Sequence, residues 1–155
     1  SGGTGMAPVM TMINHFYDHP EVCKSVHIIS GFKNADAVLF RDEIEKFKQR
    51  FHMIPTLDNE EKEGFETGMV TAHINKVPIR SFDDYNIVIV GPPVMMRFAV
   101  AECIKNGAEE SKIWVSFERK MCCGVGKCGH CKINDTYVCL VGPVFNYTKA
   151  KNLLD

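Results

Sequence analysis

The sequence contains no apolar run that approaches the roughly 20 residues of a membrane-spanning helix. It also has almost no net charge, with 18 basic residues, 19 acidic residues and a formal charge of −1 at pH 7, so nothing indicates a nucleic-acid partner. It shows no secretory segment, and its seven cysteines are an odd number, which disfavours a disulfide framework. We therefore expect a cytoplasmic protein in a reducing compartment, without a membrane span.

Internal repeats and low-complexity segments are missing as well. Hydrophobic residues make up 45% of the chain and charged residues 24%, a composition typical of a packed domain and not of a disordered segment. No side chains are spaced as a nucleophile with its base. We predict that the chain supplies no catalytic residue, so that its chemistry depends on the groups that it binds.

The cysteines that are present cluster towards the C-terminus. Cys123, Cys128 and Cys131 have the spacing C-x4-C-x2-C, and Cys139 follows eight residues later. This spacing is typical of the ligands of a plant-type [2Fe-2S] cluster. Glycines occupy three positions between the first three cysteines, and they permit the tight turns of a loop that wraps a compact cluster.

Other interpretations of the cysteines remain open. A structural zinc site is one, because Cys128 and Cys131 have zinc-like spacing, although such sites usually pair two C-x2-C knuckles. Cys122 as first ligand would give C-x5-C, so we interpret it as a bystander. His130 lies between two cysteines, as a Rieske-type ligand would, but four cysteines suffice without it.

A glycine-rich turn, Gly2-Gly3-Thr4-Gly5, opens the sequence and leads through Pro8 into an apolar-periodic run. Glycines followed by a proline in the first helical turn are typical of a loop that holds a phosphate group at a helix N-terminus. The full G-x-G-x-x-G fingerprint is missing. An ordinary turn or a flexible leader is therefore the alternative.

Strand and helix patterns alternate downstream, which indicates an α/β fold with a Rossmann-like parallel sheet. Strands are predicted at 26–30, 53–57, 87–90 and 112–116, and helices at 38–51, near 70–75 and at 94–106. Ligands of such sheets bind beyond the carboxyl ends of the strands. The opening turn and a second turn, Gly91-Pro92-Pro93, both fall at that edge.

Lys33 follows the first predicted strand and its Gly31, where an ammonium group can contact a nucleotide phosphate. No acidic residue closes the same strand to hold a ribose 2′-hydroxyl. The sequence thus leaves open whether a bound dinucleotide carries a 2′-phosphate.

Three segments together resemble the pyridine-nucleotide half of the ferredoxin–NADP reductase superfamily. They are residues 2–8 (GGTGMAP), 91–96 (GPPVMM) and 118–121 (ERKM). With the cysteine loop they are similar to the branch that carries a C-terminal [2Fe-2S] cluster. Residues 137–155 look most like the electron-transfer subunits of anaerobic sulfite reductases, and similar loops occur in hydrogenase gamma subunits and in the electron-transfer subunit of dihydroorotate dehydrogenase.

The resemblance implies a nucleotide-binding domain over residues 1–117 and a [2Fe-2S] loop with a tail over residues 118–155. It places NAD(P)H across Gly3, Thr4 and Gly5 and across Gly91 and Pro92, next to an FAD. Electrons then pass singly through the cluster on the four cysteines named above to a partner subunit that carries siroheme or iron-sulfur centres. Sulfite reduction to sulfide is the implied purpose; the alternatives are a hydrogenase or dihydroorotate dehydrogenase partner, or a non-enzymatic zinc-stapled interaction domain.

Members of this superfamily carry an FAD-binding barrel and a hydrophobic strand ahead of the glycine turn. We therefore expect this sequence to be a fragment in which the first strand of the sheet is missing. Residues 1–7 are then expected to be poorly fixed, because no strand precedes them. Without a flavin, we do not expect this chain alone to take electrons from NAD(P)H.

Overall fold

The computed structural model describes residues 1–153; residues 154 and 155, which end the predicted C-terminal segment, lie outside the described residues. The strands are β1 (His27–Phe32), β2 (His52–Leu57), β3 (Glu66–Thr67), β4 (Ile87–Val90), β5 (Ile113–Ser116), β6 (Lys132–Ile133), β7 (Thr136–Tyr137) and β8 (Val144–Asn146). The α-helices are α1 (Met6–Asp18), α2 (Arg41–Lys48), α3 (Pro93–Lys105), α4 (Val138–Val141) and α5 (Tyr147–Ala150).

Two groups of three strands form the sheet framework. One has the order β1-β2-β3 with parallel pairing, and the other has the order β4-β5-β8, in which β4 and β5 are parallel and β8 is antiparallel to β5. Strands β6 and β7 form a separate antiparallel hairpin. The α/β prediction with a Rossmann-like, mostly parallel sheet is confirmed.

The first two residues join the two strand groups. The N–H of Gly31 in β1 donates to the carbonyl of Ser1 at 3.0 Å, and the N–H of Gly2 donates to the carbonyl of Val90 in β4 at 3.0 Å. The expectation that residues 1–7 are poorly fixed is therefore wrong. Two residues suffice to anchor the turn because each bonds to a different strand.

Helix α1 packs through one face onto the first strand group. Met6 and Ile13 are spaced seven residues apart, so they lie on the same side of the helix. Both are buried, in one cluster with Ile28 of β1 and Phe47 of α2. The position of the glycine turn ahead of α1 is thus fixed from the helix side as well as from the sheet side.

The C-terminal segment belongs to the main hydrophobic core. Cys131, Ile133 and Val138 are buried in the same cluster as Val115 of β5 and Met96 of α3. The cysteine-bearing segment and the β4-β5-α3 unit therefore stabilise each other, since neither buries its apolar surface alone.

Some elements differ from the sequence-based expectation. Strand β1 continues through Gly31 to Phe32, and α2 begins at Arg41 because Phe40 has a left-handed backbone, with φ of 56°. The helix expected near 70–75 is a 3-10 helix over Val70–Lys76. A strand that was not predicted, the three-residue β8, pairs with β5 and is too short to stand out as an alternating pattern.

A stacked histidine pair predicts how stability depends on pH. His27 and His52 are partners across β1 and β2, with ring centroids 4.4 Å apart. Burial, and secondly the charge of His52, hold the pKa of His27 below its ordinary value of about 6.5. Around and below pH 6.5 the unfolded chain therefore binds more protons than the folded one. The free energy of unfolding should accordingly fall as the pH drops from about 7 through 6.5 and towards the lower pKa of the folded state.

Denaturant melts of the wild type and of His27→Gln between pH 5 and 7.5 measure this dependence. In His27→Gln the free energy of unfolding should depend less steeply on pH than in the wild type. His52→Gln should keep most of the wild-type slope, because burial is the larger cause of the shift. Equal slopes in His27→Gln and in the wild type would contradict the assignment.

Candidate functional site

The glycine turn at residues 2–5 is pressed against the end of β4. A Cβ atom on Gly5 would lie 2.6 Å from the carbonyl oxygen of Val90 and 3.1 Å from the Cα of Gly91. These neighbours are backbone atoms, so no larger residue fits without moving the turn. Gly3 has a φ of +53° with open space around it, so it is required for its conformation and not for its size.

The second turn, at residues 91–93, leads into α3. Pro93 is the first residue of this helix, and the carbonyl of Pro92 accepts a hydrogen bond from the N–H of Met96 at 3.0 Å. Because Val90 and Gly91 contact the first turn, the two glycine-containing turns face each other across the end of β4.

A cleft of about 350 Å³ lies between these turns. Of the predicted nucleotide-binding residues, Thr4, Gly5, Gly91 and Pro92 line it. Lys33 is exposed just beyond β1 and, like Gly3, does not line the cleft.

Sequence reasoning did not assign the rest of the cleft wall. Phe117, Glu118 and Arg119 line it directly after β5, and Leu153 lines it from the C-terminal tail. The residues after β5 carried a usable signal, because they follow the carboxyl end of a parallel strand. Leu153 carried none: its place depends on how the tail folds back.

A second cleft of about 550 Å³ adjoins the first and shares Phe117, Glu118 and Arg119 with it. The residues that line only this second cleft are Pro8, Ser116, Lys120, Met121 and Pro143. It lies between the start of α1 and the segment that leads into the cysteine loop.

The cysteine loop wraps around the thiol of Cys123. The backbone N–H groups of Val125, Lys127 and Cys128 point at its Sγ, at 3.5, 3.4 and 3.5 Å. Gly124 has a left-handed φ of +69° with no atom crowding its Cβ position. Glycine serves here because of its backbone freedom, which lets successive N–H groups converge on one sulfur.

The loop also favours thiolates at two of these cysteines. The pKa of Cys123 lies below its ordinary range because of the backbone N–H groups of Val125, Cys128 and Lys127, in that order. The pKa of Cys128 is lowered by the N–H of His130 and then by the thiol of Cys123. Thiolates are the form that binds metals.

The four predicted ligands meet in two pairs. The thiols of Cys123 and Cys128 interact with each other, and so do those of Cys131 and Cys139; the second contact raises the pKa of Cys139, with burial as a lesser cause. Within residues 1–153, no group of three or more histidine, cysteine or carboxylate side chains is arranged to hold a metal ion. The two contacts are also linked, because the charge of Cys123 adds to the raised pKa of Cys139.

Exposure does not separate the neighbouring candidates from the four cysteines. Cys122 and His130 are exposed, and so is Cys128, whereas Cys123 and Cys139 are half-buried and Cys131 is buried. Cys103 is buried in α3 and Cys23 lies before β1. Among the described helices, none combines the length and apolar character that crossing a bilayer requires.

Comparison with protein families finds two matching regions in the chain. Residues 1–101 match the oxidoreductase NAD-binding domain, and residues 118–151 match the iron-sulfur cluster binding domain of dihydroorotate dehydrogenase B. The chain belongs to the oxidoreductase NAD-binding domain family. In this family member, an iron-sulfur binding segment follows the NAD-binding domain.

Two curated relatives are similar to this chain over almost its whole length. The sulfhydrogenase 2 subunit gamma of Pyrococcus furiosus is 31% identical over 97% of this chain and 58% of its own length. A probable electron transfer subunit of dihydroorotate dehydrogenase B (NAD(+)) from Methanocaldococcus jannaschii is 31% identical over 97% of this chain and 55% of its own. This chain thus spans little more than half the length of these relatives.

Solved structures share the fold. The structure of an NADH-dependent reduced ferredoxin-NADP oxidoreductase superposes with a TM-score of 0.68 at 23% identity, covering 99% of this chain and 54% of that one. The cytochrome b5 reductase domain of Ulva prolifera nitrate reductase gives a TM-score of 0.64 at 20% identity over 75% of this chain and 46% of that one. At these identities the likeness concerns the fold alone.

Proposed function

We propose that this chain is the nucleotide- and cluster-binding part of an electron-transfer subunit that passes electrons from NAD(P)H to a partner subunit. One observation carries the proposal. Residues 117–119 line both the cleft between the glycine turns and the adjoining cleft, residues 120 and 121 continue along the adjoining cleft, and Cys123 follows two residues later. A donor site and a relay site are thereby built on one short stretch of backbone.

The proposed division of the chain follows from the same stretch. Residues 1–117 form the nucleotide-binding part, with Gly3, Thr4, Gly5, Gly91 and Pro92 around the dinucleotide. Thr4, Gly5, Gly91 and Pro92 line the cleft, which supports their assignment. Lys33 lies outside the cleft, exposed just beyond β1, and is proposed as a contact for a phosphate of the dinucleotide. Residues 118–155 form the cluster-binding part.

We propose that Cys123, Cys128, Cys131 and Cys139 would hold a [2Fe-2S] cluster. Their C-x4-C-x2-C spacing supports this cluster over a structural zinc site, which usually pairs two C-x2-C knuckles. When bound, the cluster takes up and releases single electrons. The N–H groups around Cys123 lower the pKa of its thiol, which favours the thiolate that a metal needs, and they tune the site by hydrogen bonding.

A flavin is needed between a two-electron nucleotide donor and a one-electron relay, and we propose that FAD of the whole protein faces the second cleft. The shared wall formed by Phe117, Glu118 and Arg119 places that cleft next to the proposed nucleotide site. The chain's own part is to orient these groups, since the cofactors carry the chemistry.

The identity of the electron acceptor is a finer proposal. The C-terminal sequence favours a siroheme or iron-sulfur subunit that reduces sulfite, in the cytoplasm. A hydrogenase or a dihydroorotate dehydrogenase is the alternative, and the names of the two relatives above support it. Lys120 and Lys127 are exposed beside the cysteines, and their charge favours an acidic docking surface on any of these partners.

Anaerobic titration of the full-length protein with NADH and NADPH tests the proposal. With FAD bound, the nucleotide should bleach the visible absorbance of the cluster and produce the paramagnetic signal of a reduced [2Fe-2S] centre. Protein stripped of FAD is the control, and it should stay oxidised because a hydride carries two electrons. Iron-free, zinc-loaded protein after anaerobic preparation would show instead that the cysteines form a zinc-stapled interaction domain.

A further inference from the structure

The C-terminal tail forms part of the cleft between the glycine turns. Helix α5 ends at Ala150, which is fully buried, and the N–H of Leu153 donates to the carbonyl of Ala150 at 2.8 Å. This turn brings the side chain of Leu153 against the main core and into the lining of the cleft. An apolar side chain from the tail thus stands in the same cleft wall as Pro92, Pro93 and Met96.

One hydrogen bond ties this tail to the cysteine segment. The side-chain amide of Asn134 donates from Nδ2 to the carbonyl of Asn152 at 3.0 Å. Asn134 occupies the turn of the β6-β7 hairpin with a left-handed φ of 49°. The hairpin begins directly after Cys131 and ends just before Cys139, so both members of one thiol pair bracket it.

We propose that the tail couples the cysteine loop to the nucleotide cleft, with Asn134 as the tether and Leu153 as the positioned wall. The inference rests on the proposed nucleotide function, and it assigns Asn134 and Leu153 a part in nucleotide binding. Clefts of this kind bind through apolar walls and a few fixed polar groups. A change at Cys131 or Cys139 moves the hairpin, and through Asn152 it moves the wall that faces the nucleotide. By linkage, a bound nucleotide must favour the loop geometry that the cluster requires.

Binding of NADH and NADPH to the full-length protein, measured by calorimetry, tests both residues. Leu153→Ala should weaken binding about fivefold through lost apolar contact, and Leu153→Met should restore it because it refills the wall. Asn134→Gly keeps the left-handed turn but removes the amide, and it should weaken binding about threefold, the effect of one hydrogen bond. Lys132→Ala is the matched control, because it breaks the Lys132–Asp135 bond of the same hairpin without touching the tail.

A second measurement isolates the coupling. Removal of the cluster with a chelator should weaken nucleotide binding about threefold in the wild type and add nothing in Asn134→Gly, where the tether is already broken. Wild-type affinity in Asn134→Gly, or an equal loss in Lys132→Ala, would overturn the tether. Wild-type affinity in Leu153→Ala would overturn the wall. Failure of the wild type to bind either nucleotide would overturn the proposed function itself, which is a different result from normal binding that no variant changes.

Discussion

Replacing Cys123, Cys128, Cys131 or Cys139 singly with alanine should remove nearly all iron and visible absorbance from anaerobically purified protein. A [2Fe-2S] cluster needs four protein ligands, so the loss of any one thiolate leaves its ligand set incomplete. The expected iron content falls from about two per chain to near zero. Metal analysis and the visible spectrum measure it directly.

Two other cysteines serve as matched controls. Cys122→Ala changes an exposed thiol next to Cys123, and Cys23→Ala changes a thiol far from the loop in the sequence. Both variants should keep the iron and the spectrum. If Cys122→Ala loses the cluster while Cys123→Ala keeps it, the C-x4-C spacing is the wrong interpretation and Cys122 is the first ligand.

The buried state of Cys131 makes a further distinction possible. Cys131 belongs to the main core together with Ile133 and Val138, so Cys131→Ala removes packing as well as a ligand. Cys128 is exposed, so its loss should affect the cluster without a comparable loss of stability. In thermal melts of the metal-free proteins, Cys131→Ala should therefore have a lower melting temperature than Cys128→Ala.

The cysteine and glycine positions were the parts of the site most open to prediction from sequence. Both depend on local spacing. Cys123 and Cys128 share one loop, Gly5 is the last residue of the turn before α1, and Gly91 follows directly after β4. Such features can be recognised in a sequence because the residues that form them are close together in the chain. The α/β fold was predictable for a similar reason, since each strand and helix carries its own periodicity.

The remaining parts depend on contacts between distant segments. Leu153 reaches the cleft because α5 packs on the core and Asn134 holds Asn152 across 18 residues, and no local pattern records either contact. Strand β8 has three residues and is defined by its partner β5. The anchoring of Ser1 and Gly2 likewise depends on β1 and β4, which follow much later in the chain.

Replacing Gly5 with valine should strongly weaken nucleotide binding while the cluster is retained. The new Cβ would lie 2.6 Å from the carbonyl oxygen of Val90, and Val90 is held in place by the pairing of β4 with β5. The turn, and not β4, must then move, which closes or misaligns the cleft between residues 4–5 and 91–92. We expect at least a 30-fold rise in the dissociation constant, or about 2 kcal/mol.

Gly3 provides the matched comparison within the same turn. Its Cβ position is open and only its φ of +53° is unusual, so Gly3→Asn, which tolerates this conformation, should bind nucleotide nearly as the wild type does. Calorimetric titration with NADH and NADPH, with the visible spectrum as a check on the cluster, compares the two variants. A side chain at Gly5 clashes with backbone atoms, whereas a side chain at Gly3 has open space. Undiminished binding in Gly5→Val would therefore show that this turn does not hold the dinucleotide.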